Sequence, residues 1–543
     1  MSRTRAGLGS VAVSLAALTL AARVLGFGRS LVFSKTVGDT CLGDTYNAAN
    51  SLPNILFEVV AGGVLAGVVV PVVARHVAAG RRQETSRTVS ALVTWTLLAL
   101  TPAALVALAG APLYARVFAS AACTGSADTL AALLVVFAPQ VWLYGLAVVS
   151  AGVLQAHSRF LAAALAPLVS SAVVIAAYLG FAVAARPAAR SDLGQLSGTA
   201  TAVLGWGTTA GVLALAVTTL LPLAGLGLRL RPRLRFADGD RSVILRIGLA
   251  GLTGLVLQQL SVLLIAWAAQ RSGDPGALTR FTWANALYLL PYAVLVAPLL
   301  QLVFPRLSVA AGEETAEPGA GTAAVQRVLA DTLPSLVVLA WLGAALLAAT
   351  AVPVARVFVL GPGSGRTDAL AAPIAAFAPA VVGFALLGLA SRSLLAQHRA
   401  RDAGLATALA WGTVILAVAV LRLVVPAPAL VPTIAGSVSL GMALGALVGW
   451  VQLHRNGVRV RLARPLLTGL AAAAVAVGVC WWPAGQLADR GLAAALLGGV
   501  GVAALCLLAF LAVLAVLDRP LLSGLRQLRR RPSTESEAAD ARR

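Results

Sequence analysis

Two arginines stand six residues apart inside an otherwise apolar run, Arg23-Val24-Leu25-Gly26-Phe27-Gly28-Arg29. A charge at the centre of a bilayer costs about 2.5–3.5 kcal/mol or more, so an ionisable residue inside a span marks function by default. Arginine suits a diphosphate because its planar fork binds oxyanions bidentately and keeps its proton. The two glycines are expected to loosen the helix and let backbone and guanidinium face a cavity. Snorkelling to the interface is the competing reading, stronger for Arg29 than for the deeper Arg23. A second polar set, Asn47, Asn50, Asn54 and Glu58, is spaced three, four and four residues apart and so falls on one helical stripe. Val, Leu and Ile lie opposite, which points the stripe at a cavity or at a hydrogen-bonded helix neighbour. Glu58 is then a partner for Arg23 or Arg29, or a proton-coupling group.

Farther along, Gln258, Gln259, Asn285 and Gln301 are sparser, and helix packing accounts for them as well as ligand binding does. Arg23, Arg29, Asn50, Asn54, Glu58 and Asn285 form the candidate binding set. No Ser/His/Asp constellation, metal-ligand cluster or phosphate-cradling loop stands out, so no catalytic residue, metal or cofactor is expected. His76, His157, His398 and His454 fall on predicted loops, and no CxxC pair exists. Cys480 and Cys506 read as ordinary residues buried in spans. Cys41 and Cys123 fall on one membrane side, where a disulfide and two free thiols are both open; proximity close enough for a link is the expectation tested below.

The elements that position these residues are membrane spans. The 543 residues are 59% hydrophobic and 11% charged, with mean hydropathy +0.90, far from a soluble domain. Apolar runs of about 20 residues, the length that crosses a hydrocarbon core, recur throughout. They predict an all-α membrane protein of about fourteen spans, near 11–33, 52–74, 89–111, 129–153, 160–185, 199–224, 243–268, 282–304, 328–350, 369–391, 403–424, 430–452, 465–483 and 492–516.

With the N-terminus cytoplasmic, 29 of the 41 Lys and Arg residues fall on the cytoplasmic side, ten on the exterior side and two, Arg23 and Arg29, inside the first span. The net charge of +21 is therefore mainly a topology signal, with some attraction to anionic headgroups, and it does not point to nucleic acid. Both termini are expected in the cytoplasm, the last 25 residues, 519–543, as a basic tail. The first apolar segment carries two arginines and runs too long for a cleavable signal peptide.

The chain also repeats itself. Ala115-Arg116-Val117-Phe118 returns as Ala355-Arg356-Val357-Phe358, and Phe137-Ala138-Pro139 as Phe377-Ala378-Pro379, both 240 residues later. Asp128 and Asp368, and Arg87 and Arg327, keep that offset; Leu154-Gln155-Ala156-His157 and Leu395-Ala396-Gln397-His398 line up at 241; Asn50 and Pro71 answer to Asn285 and Pro305 at 235 and 234. Six spans separate equivalent points, so the halves have parallel orientation. The expected lobes are 1–228 and 229–458, with two further helices in 459–518. Paired six-helix lobes are the plan of an alternating-access carrier, although fold alone does not dictate function.

With Gly38, Asp44, Leu52-Pro53-Asn54, Gly62-Gly63, Val70-Pro71, Leu154 to Phe160, Leu289-Leu290-Pro291-Tyr292 and Phe304-Pro305-Arg306, the first-span motif makes the chain resemble the MurJ (MviN) family of lipid II flippases. That family belongs to a superfamily of multidrug and polysaccharide exporters. The resemblance implies that Arg23 and Arg29 bind the diphosphate of lipid II in a central cavity, that the last two spans help form a groove for the polyprenyl tail, and that the protein sits in the bacterial inner membrane among lipid partners. Where the family often carries arginines the chain has Phe57, Glu58 and Ala286, and Ser30 stands where an Asp is common. Arg23 and Arg29 are thus expected to carry more of the anion binding. Other readings are export of a different polyprenyl-linked glycan or amphiphile, a glycosyltransferase using Asp39 and Asp44, and a scaffold with a decayed transport site.

Overall fold

The computed structural model describes residues 2–59, 66–236, 252–312 and 319–518, and the elements among them are helices, with a single isolated β-bridge, Asp39 to Gly363. Among the described residues thirteen helices are long and apolar enough to cross a membrane. Of the expected span over 52–74, the described parts are the end of a helix that carries Pro53 and runs to Phe57, a wider π turn at Glu58 and Val59, and a helix from Ala66 onward. The architecture of about fourteen spans holds. The 519–543 tail, Gly62-Gly63, Arg241 and Arg246 lie outside the described residues.

Two compact units share the chain, 1–279 with 358–365, and 280–357 with 366–543. Among the described residues the first holds α1 (Ser2–Thr36), α2 (Cys41–Phe57), α3 (Ala66–Ala78), α4 (Arg82–Ala109), α5 (Ala111–Phe118), α6 (Ser126–Phe137), α7 (Gln140–Ala156), α8 (Phe160–Ala184), α9 (Gly198–Ala224) and α10 (Leu252–Gln270). The second holds α11 (Ala277–Pro291, whose first turn still belongs to the first unit), α12 (Ala297–Gly312), α13 (Ala320–Ala349), α14 (Ala351–Val359), α15 (Thr367–Ala376), α16 (Ala378–Ala396), α17 (Ala400–Val424), α18 (Ala427–Arg455), α19 (Ala463–Gly485) and α20 (Leu492–Leu517). The sequence repeat would assign α10 to the second lobe, whereas its contacts group it with the first unit.

The duplication extends to the backbone. Helices α5 and α14 begin at Ala111 and Ala351, 240 residues apart. Ser158 and His398, also 240 apart, are the only non-glycine residues with positive φ among those described, both at 59°. At each, the next amide reaches back to close the turn: Arg159 N–H donates to the Leu154 carbonyl and Arg399 N–H to the Leu394 carbonyl. The structural offset is thus 240 here too, and the 241 read from the letters is one residue out of register. Even the π turn recurs, at Glu58 and Val59 and again at Tyr292–Val296 after Pro291.

Lipid offers little hydrophobic drive for helices to associate, so small residues permit close packing. A Cβ on Gly441 or Gly445 of α18 would come 2.5 Å from the Ala410 carbonyl oxygen or 2.9 Å from that of Ala406, both on α17. Cys480 and Cys506 are buried with Ala472, Ala476, Phe510 and Leu514 where α19 and α20 pack on α13, as an apolar role requires. Cys41 and Cys123 are joined by a disulfide with a Cα–Cα distance of 5.6 Å, fastening the start of α2 to the loop ahead of α6.

Candidate functional site

Helix α1 runs unbroken through Gly26 and Gly28, so the glycines do not loosen it as the sequence led one to expect. A Cβ at either would meet nothing within 4 Å, so open space lies beside both, on nearly opposite sides of the helix. In a continuous helix six residues place Arg23 and Arg29 about 120° apart around the axis and roughly 9 Å along it. Both side chains are exposed, and neither forms an ion pair with a carboxylate among the described residues.

Around Arg29 the structure gathers hydroxyls that the sequence did not flag. Its charge acts on Tyr46 of α2, Tyr144 of α7 and Tyr178 of α8. The Tyr46 hydroxyl lies 2.9 Å from that of Tyr178 and 3.0 Å from Thr208 Oγ1 on α9. Phe33, one turn beyond Arg29, rests against both rings at centroid distances of 5.2 and 5.1 Å. Four helices thereby meet on one aromatic, hydroxyl-bearing wall. The only sequence signal was scarcity: the chain has six tyrosines.

The polar stripe of α2 divides into separate roles. Asn47 is spent on structure, its amide donating to the Gly43 carbonyl at 2.9 Å and to Thr279 Oγ1 at 3.0 Å. Asn50 Oδ1 is buried and accepts no hydrogen bond among the described residues, an acceptor still open to a partner. Asn54 is half-buried one turn on. Glu58 is exposed at the π turn and pairs with neither Arg23 nor Arg29, so the ion-pair alternative for Glu58 does not hold here. Phe57, in a position where an arginine was looked for, packs on Tyr144 at 4.8 Å.

Asn285 belongs to the second unit, half-buried on α11. That unit contains a cation the sequence placed in a loop. Arg392 lies inside α16, half-buried, its guanidinium donating to the Gly388 carbonyl at 3.1 Å and its charge acting on Tyr292 at the second π turn.

Asp39 and Asp44 are buried and occupied. Asp44 Oδ2 accepts from Gly276 N–H at 2.8 Å; its Oδ1 accepts from both the N–H and the hydroxyl of Thr279 at 2.8 Å. Asp39 accepts from the N–H and hydroxyl of Ser364. These carboxylates bind the 276–279 and 363–364 loops to the α1–α2 turn, and their lone pairs are not free for glycosyl transfer. At this turn Gly38 has φ 78°, and a Cβ there would lie 1.8 Å from the Pro362 carbonyl oxygen.

Comparison with known proteins bears on the fold and the family. A relative from Rhizobium tropici described as a probable lipid II flippase MurJ is 28% identical over 341 residues, 61% of this chain and 61% of its own length. A Vibrio cholerae protein of the same description is 27% identical over 172 residues, 30% of this chain and 33% of its own. The alignments therefore span less than two thirds of these relatives. Among solved structures, a lipid II flippase MurJ in an inward closed conformation superposes with TM-score 0.71 at 16% identity, covering 94% of this chain and 100% of that one. An inward-facing multidrug transporter of the MATE family gives TM-score 0.63 at 15% identity over 81% of this chain and 94% of its own, a likeness of fold. The family model described as lipid II flippase MurJ matches residues 33–519, and by that match the chain belongs to the MurJ family.

Proposed function

We propose that this protein moves lipid II from the cytoplasmic to the exterior leaflet of the bacterial inner membrane by alternating exposure of a cationic cavity. The observation that supports the reading is Arg23 and Arg29 on the first span: two guanidiniums with no carboxylate ion-pair partner among the described residues, one of them with its charge acting on three tyrosines. A large polar head cannot cross about 30 Å of hydrocarbon unaided, and a buried charge needs its partners supplied. Arg23 and Arg29 hold the diphosphate, while Asn50, with its open acceptor, and Asn54, Glu58 and Asn285 line the path of the sugar and peptide groups. The polyprenyl tail stays in lipid beside α19 and α20. The 1–228 and 229–458 lobes and the appended 459–518 pair are the moving parts of this scheme, and no covalent chemistry is required.

Depletion of the protein from its host tests the substrate. Lipid II is expected to accumulate without reaching the exterior leaflet; accumulation of another lipid-linked glycan with lipid II normally exported would overturn the reading in favour of a related exporter. Orientation is a separate matter: the 29-to-10 charge partition supports a cytoplasmic location for both termini. A reporter fused after Arg543 should be active only as a cytoplasmic fusion, and activity restricted to the exterior contradicts that placement.

A further inference from the structure

Between α9 and α10 the chain runs extended over the residues that follow Gly227, and its sequence alternates: Arg229, Arg231, Arg233 and Arg235 interleave with Leu230, Pro232 and Leu234. This segment is strapped to the first turns of α4. Arg229 N–H donates to Ser86 Oγ at 3.2 Å, Arg231 N–H to Ser90 Oγ at 3.2 Å, and Arg233 N–H to Thr94 Oγ1 at 3.0 Å. The match is geometric. Four residues of helix rise about 6 Å and two residues of extended chain about 6.6 Å, so hydroxyls at i, i+4 and i+8 meet every second amide of the strap. Trp95 Nε1 closes the far end on the Leu234 carbonyl at 2.9 Å, and Arg82 the near end on the Leu226 carbonyl at 3.0 Å.

Because the amides of alternate residues are fixed, their side chains share one face of the strap. With Arg82 and Arg87 of α4, Arg229, Arg231 and Arg233 line a groove of about 920 Å³ whose lining among the described residues contains no carboxylate. Like charges gathered this closely repel one another unless an anion sits among them. The groove also has an apolar border. Leu230, Leu234, Trp95 and Leu98 are 44%, 58%, 47% and 48% exposed, and Trp95 marks the level at which α4 passes from its polar turns into an apolar, exposed stretch. Tryptophan is enriched at that depth, where headgroups meet hydrocarbon.

We infer that this groove binds the phosphate headgroup of an anionic membrane lipid, with its acyl chains lying along Leu230, Leu234 and Leu98. The arginines receive the phosphate through charge-assisted, bidentate contacts; the apolar border distinguishes a lipid from free phosphate. The site is distinct from Arg23 and Arg29. Its assignment to the cytoplasmic leaflet rests on the orientation proposed above, but the binding itself does not, and the test reads binding alone.

The full-length protein, stripped of lipid in detergent, is titrated with phosphatidylglycerol or phosphatidylcholine and bound lipid counted by native mass spectrometry. Phosphatidylglycerol is expected to bind at least tenfold more tightly than phosphatidylcholine. That preference should vanish in Arg229→Gln/Arg231→Gln/Arg233→Gln and persist in a charge-matched tail variant, Arg529→Gln/Arg530→Gln/Arg531→Gln. Ser86→Ala/Ser90→Ala, which frees the strap without changing charge, should weaken the preference severalfold, and it keeps the test decisive if the arginine variant does not fold. Equal losses in the groove and tail variants would show diffuse charge attraction and overturn the proposal. So would undiminished preference in both the arginine and serine variants, or full displacement of the lipid by millimolar inorganic phosphate.

Discussion

Replacing Arg23 and Arg29 together with alanine is expected to abolish rescue of a strain depleted of this protein, at normal expression. Charge-assisted hydrogen bonds are worth about 1.5–3 kcal/mol each, so losing one guanidinium costs roughly ten- to a hundredfold in diphosphate affinity. Losing both leaves the stretch of α1 from Arg23 to Arg29 with no cation. Phe57 packs on Tyr144 and Ala286 carries no charge, so neither position compensates. Arg23→Lys should be impaired despite retaining its charge, because an ammonium cannot reproduce the planar fork. Arg29→Ala alone should be milder if the exposed side chain also reaches the interface. Growth and surface lipid II levels in the depleted strain provide the readout; full rescue by the double variant would remove the arginines from the mechanism.

The second large effect is expected at Asp44, through stability. Its carboxylate is 2% exposed and satisfies three donors from Gly276 and Thr279. Asp44→Ala strands those donors in a buried site, at a cost of about 2–4 kcal/mol. Asp44→Asn should lose about half as much, since its oxygen can still face Thr279 while its amide meets the Gly276 N–H as donor against donor. Thermal unfolding in detergent should rank wild type above Asn and Asn above Ala. Equal midpoints would mean that the loop is held by other contacts.

Much of the fold was legible because membrane spans announce themselves by length and composition, and the repeat because Ala115 to Phe118 and Ala355 to Phe358 share a rare string. The π turn at Glu58 and Val59 was not, because it has no signature in residue type. At the site, Arg23 and Arg29 were conspicuous as charges in an apolar run. Tyr46, Tyr144 and Tyr178 were not, because tyrosine is unremarkable in a span until three helices bring the rings within range of one arginine's charge. Arg392 was misplaced for a related reason: four residues from the end of α16, it reads as a loop cation until its bond to the Gly388 carbonyl inside the helix is seen. The arginines of the strap were counted as topology, and only the Ser86, Ser90 and Thr94 rail shows them fixed on one face.

The central claim is transport of lipid II by a cationic site on the first span. It is tested most directly by reconstituting the purified protein into liposomes containing lipid II with a fluorophore on its head, then adding a membrane-impermeant quencher. Wild-type protein is expected to bring nearly all of the fluorophore within reach of the quencher, while Arg23→Ala/Arg29→Ala vesicles protect the inner-leaflet half as protein-free vesicles do. Equal quenching with the wild type and the double variant would contradict the account.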